Sequence, residues 1–432
     1  MNKNYLKTVS PSILGTIVVF MGFLSTLIPP SYYKYLLNEE NYSFLNFRLY
    51  FMVLVCLLSF ILGCRLAYRF KQFPIIGSEE IAIDILTLIS AALAILRLKD
   101  MVSNLSLSFV NEAIFGDFTN RQFFLRSTVS SVFQNSSLGW VKGFSFSMIC
   151  LGWLNIFKRA VSFKSYKGII LVASTVIITI SYLVEALILQ GRGAIFEIFV
   201  AILMSYISVI SSKVEFDWKK IIKIAAFVAI ISISIFLAIS VRRSMIDEAK
   251  SPLESIMYLI VGYFASAYNR LALVLSNSLV IPNQGTMYNS LLNILSPPFS
   301  NQFSFLKIGD LIGLSEPVVG TDAWIESFSS VSTTGLNPAF NWFTIFGIVY
   351  SDFGFYYPVY FLLYGILSGY AWKNYMQKSF LGIALYPWIV LSIFAWWGAE
   401  NVYIAKRETV IIILIAVFHC ALSVYIGIIR RK

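Results

Sequence analysis

Long apolar runs, separated by short basic or polar stretches, set the pattern of this chain. Ten runs come near the roughly 20 residues that a helix needs to cross a bilayer. They lie at about 11–28, 49–68, 81–97, 137–157, 168–190, 194–212, 221–241, 342–372, 380–398 and 409–429. The pattern predicts an all-α, polytopic membrane protein with about 10–12 transmembrane helices in a single membrane domain over 1–432.

The loops between the runs carry an orientation signal. More than half of the 33 basic residues fall on alternate short loops, among them Arg65, Arg69, Lys71, Lys158, Arg159, Lys164 and Lys167, and on the two ends. Basic residues in short loops mark the cytoplasmic side, so both termini are expected there. The first run, preceded by Lys3 and Lys7, reads as an uncleaved span. Two segments on the outer side are long, about 98–136 and 242–341. Within the second, Pro252 to Leu275 is apolar enough to cross. A crossing there would turn Lys373, Lys378 and the Arg430–Lys432 tail outward, so the expectation is an interfacial or re-entrant helix. Pro282, Pro297, Pro298, Pro317 and Pro338 break the rest of that loop into short pieces.

Composition narrows the class further. Charged residues make up 13% of the chain and mean hydropathy is +0.76, whereas soluble domains carry about 25% charged residues. That excludes a soluble globular, disordered or disulfide-scaffold protein. The net charge of +11 follows from the orientation signal and needs no nucleic acid. Cys56, Cys64, Cys150 and Cys420 lie in or beside apolar runs without metal spacing and read as packing residues.

Several chemistries lack their usual carriers. There is no Walker loop, HExxH, GxSxG or Asp-x-Asp pair, and the single histidine, His419, sits mid-run as a packed residue. No metal or other cofactor is expected.

What the sequence does offer is charge in costly places. Gly191-Arg192-Gly193 forms a tight outer turn between two spans, where glycines let a ligand approach closely. Glu185 lies before it and Glu197 after it, both inside apolar runs, where an acid is a functional candidate by default. Each of these acids is equally a candidate for a structural pair with Arg192. Arg242, Arg243 and Arg270 add outer cations, and arginine suits phosphate oxygens in a dehydrated setting. The stretch GTDAWIESFSSVSTTGLNPAFNW at 320–342 mixes hydroxyls, amides and acids with Trp324 and Trp342. Such side chains suit sugar hydroxyls and the apolar faces of pyranose rings, which makes Trp324, Asn337, Asn341 and Trp342 sugar-binding candidates. Asp322, Glu326 and Glu185 are the candidate proton acceptors.

GRGAIF at 191–196, the long outer loop after a basic span end, and TGLNPAF at 334–340 before a late span together resemble the O-antigen polymerase family. That resemblance implies a metal-independent glycosyltransferase with a lipid-carrier-dependent (GT-C-like) fold in the bacterial inner membrane. It implies polymerisation, at the periplasmic face, of oligosaccharide repeat units carried on polyprenyl pyrophosphate. Arg192 would bind the pyrophosphate with Arg270 as its partner, and Asn337-Pro338 would shape the mouth of the site. The implied partners are lipid-linked oligosaccharides, membrane lipids and a chain-length-regulating co-polymerase. Two alternatives stay open: an O-antigen ligase acting on lipid A core, and a flippase or transporter of lipid-linked oligosaccharide.

Overall fold

The computed structural model describes residues 9–71, 79–104, 140–159, 166–188, 192–210, 251–295, 311, 313, 315–398 and 403–429. The run at 221–241, Arg242, Arg243 and both extreme termini lie outside the described residues. Within them the protein is all-helical, with no strand.

Thirteen helices carry the architecture of the described residues: α1 (Pro11–Thr26), α2 (Pro30–Leu37), α3 (Phe47–Leu66), α4 (Glu79–Asn104), α5 (Val141–Arg159), α6 (Tyr166–Ile188) and α7 (Arg192–Ile210). After them, α8 joins Pro252–Ile260 and Ser266–Leu275 through a π-helical turn, Val261–Ala265. Next come α9 (Gly320–Thr333), α10 (Ile345–Phe353), α11 (Tyr357–Met376), α12 (Phe380–Phe394) and α13 (Arg407–Ile429). Short 3₁₀ turns at Leu292–Leu295, Ala395–Trp397 and Tyr403–Ala405 link several of these.

Among the described residues, six helical stretches are long and apolar enough to cross a membrane: Phe47–Arg69, Tyr166–Glu185, Gly193–Ile210, Leu253–Leu275, Phe380–Trp397 and Arg407–Ile426. The pair α1 and α2, bent by 90°, makes a seventh if counted as one span. The runs at 81–97, 137–157 and 342–372 are helical too, as α4, α5 and α10–α11, but are not among the six. Gly354, with φ of 54°, divides the last of these, because a left-handed residue ends one helix before the next begins.

The segment 252–275, expected as an interfacial or re-entrant helix, is helical throughout. It is continuous, and 83% of its apolar window is buried against the rest of the protein. It packs on α1, α2, α3 and α10. Its one cation, Arg270, is neutralised inside the protein (below), and this removes the main cost of burying such a helix.

α12 is the central post, with every residue from Phe380 to Ile393 buried and with α1, α5, α7, α11 and α13 packed around it. The tightest pairing is α3 with α11. A Cβ on Gly365 would overlap the Phe60 carbonyl, and one on Gly369 would sit 2.6 Å from the Cys64 carbonyl. Small residues let two backbones approach closely in an apolar medium. Residue numbers rise together along this contact, and Lys373 at its end donates to the Tyr68 and Phe70 carbonyls at 3.0 and 2.6 Å. α3 and α11 therefore run parallel.

Candidate active site

Five helix ends meet at one place: α4 and α6 finish there, and α5, α7 and α13 start there. Their apolar faces build the bundle, and the charges at their ends fill the junction. Arg97 of α4 donates to Glu185 of α6 at two points, Nε to Oε2 at 2.8 Å and Nη2 to Oε1 at 2.6 Å. Lys142, the second residue of α5, reaches Glu197 of α7 at 3.3 Å. The Tyr182 hydroxyl donates to the same Glu197 oxygen. Glu408, in the first turn of α13, lies close enough that a Cβ on Gly143 would be 3.1 Å from its Cα. Lys142 is in the electrostatic field of Glu197, Glu408, Glu185 and Arg97 together.

One side of this cluster is sealed and the other open. The Arg97 and Glu185 side chains are 7% and 9% exposed and Glu197 is 2% exposed, whereas Lys142 keeps 23% and Arg407 27%. Arg192 opens α7 at the same junction; the residue after it, Gly193, lies where an added Cβ would be 3.4 Å from the Tyr403 hydroxyl. Tyr403 carries Lys406 over its ring at 3.9 Å. Burial first, then the neighbouring Glu197 carboxylate, hold its hydroxyl protonated well above the usual tyrosine range.

Three helix N-termini, those of α5, α7 and α13, thus point at the junction, each with the partial positive charge of its unpaired N–H groups. Among the described residues Arg97, Lys142, Lys406 and Arg407 are set against Glu185, Glu197 and Glu408, so cations outnumber acids there. The arrangement can hold an anion at its open side. The Leu292–Leu295 turn, from the long 242–341 segment, packs on Tyr403–Ala405 and on α13, so that segment covers part of the junction.

A second polar node ties the loops. Glu39, wholly buried, accepts from Arg270 Nη1 at 2.9 Å and Nη2 at 3.0 Å, from the Asn337 N–H at 2.7 Å and from the Tyr33 hydroxyl at 2.5 Å. Arg270 also donates to the carbonyls of Ser266 and Asn337, both at 2.9 Å. Asn269 reaches the Glu40 carbonyl at 2.7 Å.

The sequence candidates are distributed unevenly between these places. Glu185 and Arg192 stand at the junction. Glu185 and Glu197 are paired there, but with Arg97 and Lys142, each a cation inside an apolar run. Arg270 differs from the expected pyrophosphate ligand: it has no exposed surface, and both terminal nitrogens are occupied. A buried guanidinium takes the carboxylate that desolvation leaves beside it, and here that is Glu39. Asn337 serves the same node. Asp322 and Glu326 are exposed on α9, which also carries Trp324. Asn341 is 5% exposed, and Trp342 packs with tilted rings against Tyr263 and Trp397.

Sequence reasoning missed Arg97, Lys142, Tyr182, Tyr403, Glu408 and Glu39 as site residues. The signal for Arg97 and Lys142 was available, since each is a charge within an apolar run. Among the described residues no three His, Cys, Asp or Glu side chains gather as metal ligands. Comparison with protein-family models, with curated proteins and with solved structures finds no match.

Proposed function

We propose that this protein is a glycosyltransferase of the lipid-carrier-dependent kind, polymerising polyprenyl-pyrophosphate-linked oligosaccharide units at the outer face of a bacterial inner membrane. The observation that carries the proposal is the junction at which three helix N-termini converge with Lys142 and Arg407 on its open side and with Arg192 as the first residue of α7. A lipid pyrophosphate needs such a site: concentrated positive charge at a helix end, partly desolvated, with apolar helices beside it for the prenyl chain. The parallel run of α3 and α11 supports the accompanying topology, in which α3 and α11 cross in the same direction.

In the reaction a hydroxyl of one lipid-linked unit attacks the anomeric carbon of the growing chain. The bond to the pyrophosphate oxygen breaks, and polyprenyl pyrophosphate leaves with the electron pair. Negative charge on the leaving oxygens grows as the bond breaks, so fixed cations act most strongly in the transition state. The hydroxyl proton passes to a carboxylate. Glu185 has both oxygens engaged by Arg97 and Glu197 is held by Lys142 and Tyr182, whereas Glu326 and Asp322 are exposed. Glu326 is our choice for the base.

The test is reconstitution with polyprenyl-pyrophosphate-linked repeat units, without a core acceptor, comparing wild type with Lys142→Ala and Arg192→Ala by gel ladder. A ladder in wild type that disappears in the variants supports both polymerase and site. No ladder from folded protein and authentic substrate removes the polymerase proposal in favour of a ligase or transporter. An undiminished ladder in the variants keeps the function and removes the site.

A further inference from the structure

The chain leaving α8 forms a strap, residues 276–295, whose last turn lies on the junction. Its first half is fixed. Leu279 and Ile281 are buried, and Asn283 is bonded to Val318 at two points. Its Nδ2 donates to the Val318 carbonyl at 2.9 Å, and its Oδ1 accepts from the Val318 N–H at 2.8 Å. The second half is seated more lightly. The Leu292–Leu295 turn packs on Tyr403–Ala405 and on α13, yet none of its residues is buried. Leu291 and Met287 are exposed as well. A segment with so little apolar burial lifts at low cost.

A polar clasp holds that second half at Ser290. Asp352 Oδ2 of α10 accepts from the Ser290 N–H at 3.1 Å and from its hydroxyl at 2.5 Å. The Met287 N–H is a further donor to this carboxylate, and the Tyr360 hydroxyl donates to the Ser290 carbonyl at 3.1 Å. Ser290 is 1% exposed and Asp352 7%, so loss of the carboxylate leaves buried donors without a partner. Between Asn283 and the clasp the backbone is left-handed three times, at Asn283, Gly285 and Met287, with φ of 62°, 76° and 59°. Methionine meets a steric penalty there that glycine does not. The closed strap thus keeps a strained residue beside its clasp.

We infer that residues 284–295 are a lid on the junction, hinged at Asn283–Gly285 and latched by Asp352 through Ser290. The inference rests on the proposed function for what passes beneath the lid, while the lid and latch stand on the contacts above. Lys142 and Arg407 are the partly exposed cations of the junction. A cover over them excludes water and strengthens their hold on an anion, and it must lift for the anion to enter or leave.

The experiment uses the full chain in lipid nanodiscs. Hydroxyl-radical footprinting reads side-chain exposure at 292–295 and at 403–405. Hydrogen exchange reads the Leu291, Leu292 and Asn293 amides, which are bonded to the Met287 and Tyr288 carbonyls. Binding kinetics of undecaprenyl pyrophosphate are taken on the same samples. Asp352→Ala should raise radical modification at both places at least threefold and exchange of the three amides at least tenfold, with α8 and α12 unchanged. Tyr360→Phe removes one bond of the clasp and keeps the ring, so it should shift the same sites by less, and it serves if the alanine variant does not fold. Association and dissociation of undecaprenyl pyrophosphate should both quicken at least fivefold, with Kd changing less than either rate.

Unchanged modification and exchange in the folded variants overturns the latch. A strap that loosens while 403–405 stays protected overturns the lid. Exposure that rises equally in α8 and α12 makes Asp352 a general support of the fold, and the inference fails. A change confined to the dissociation rate makes Asp352 part of the binding surface and overturns the gate. Both places exposed, with no undecaprenyl pyrophosphate bound by any sample, keeps the lid and removes the pyrophosphate reading of the junction.

Discussion

Arg97 and Glu185, 88 residues apart in the chain, form a two-point ion pair that locks the end of α4 to the end of α6. Both side chains are less than a tenth exposed. Removing one partner would leave the other charge buried without compensation, whereas removing both leaves an apolar contact. Arg97→Ala is therefore expected to destabilise the protein by about 3–5 kcal/mol. Arg97→Met combined with Glu185→Leu should stay near wild type. Thermal unfolding in nanodiscs checks this. Equal losses in the single and double variants would mean that the pair does more than neutralise itself.

Lys142, on the open side of the junction, and Arg192, the first residue of α7, act differently under the proposed function. Truncating either should lower the polymerisation rate by about 10²–10³, the usual cost of losing one preorganised donor to developing negative charge. Lys142→Arg should recover part of that loss, because the charge returns with altered geometry. Initial rates from lipid-linked substrate give the comparison, with the unfolding temperature followed in parallel. A fall in rate matched by a fall in stability would reduce Lys142 to a structural partner of Glu197.

How much of this was legible in the sequence depended on the range of the interaction. The helices were, because apolar runs are local: α3, α6, α7, α12 and α13 coincide closely with predicted runs. Arg192 was legible as a cation between two spans, and it is the first residue of α7. Partner choice was not legible. Glu185 looked suited to Arg192, seven residues on, but its partner is Arg97, and that choice depends on how α4 packs on α6. Arg270 looked like a free cation because its carboxylate, Glu39, is 231 residues away. The break of the 342–372 run at Gly354 depended on the positive φ of a single glycine, which an apolar pattern does not reveal.

Asp352 provides a pH test outside the spans, since α10 has nine residues and is too short to cross a bilayer. Its Oδ2 accepts from the Ser290 N–H at 3.1 Å and the Ser290 hydroxyl at 2.5 Å, and Tyr360 holds the Ser290 carbonyl at 3.1 Å. Burial outweighs these donors and pushes the carboxyl up from 3.8 to about 6. A raised folded-state value means that the folded protein binds this proton more tightly. The resulting stability is complete below about pH 3.8 and is lost as pH rises through about 6. The shift of about 2 units corresponds to about 3 kcal/mol. Asp352→Asn should retain the Ser290 contacts and flatten the stability profile between pH 4 and 7. A profile with the same slope in the variant would assign the pH dependence to another group.

The α3–α11 contact makes a prediction that depends on backbone geometry alone. Gly365 lies where a Cβ would overlap the Phe60 carbonyl, and backbone cannot move aside as a flexible side chain can. Gly365→Ala should therefore cost about 1–3 kcal/mol, as overpacking does, although alanine is the better helix former. Gly347 in α10 is the control. A Cβ there would meet its nearest neighbour, the Leu271 Cδ1 atom, at 3.5 Å, an ordinary contact. Gly347→Ala should be neutral or stabilise by up to about 1 kcal/mol, through the helix propensity of alanine and a more restricted unfolded chain. Paired unfolding measurements on the two variants separate the effects. If both alanines stabilise, α3 and α11 do not approach as closely as their glycines allow.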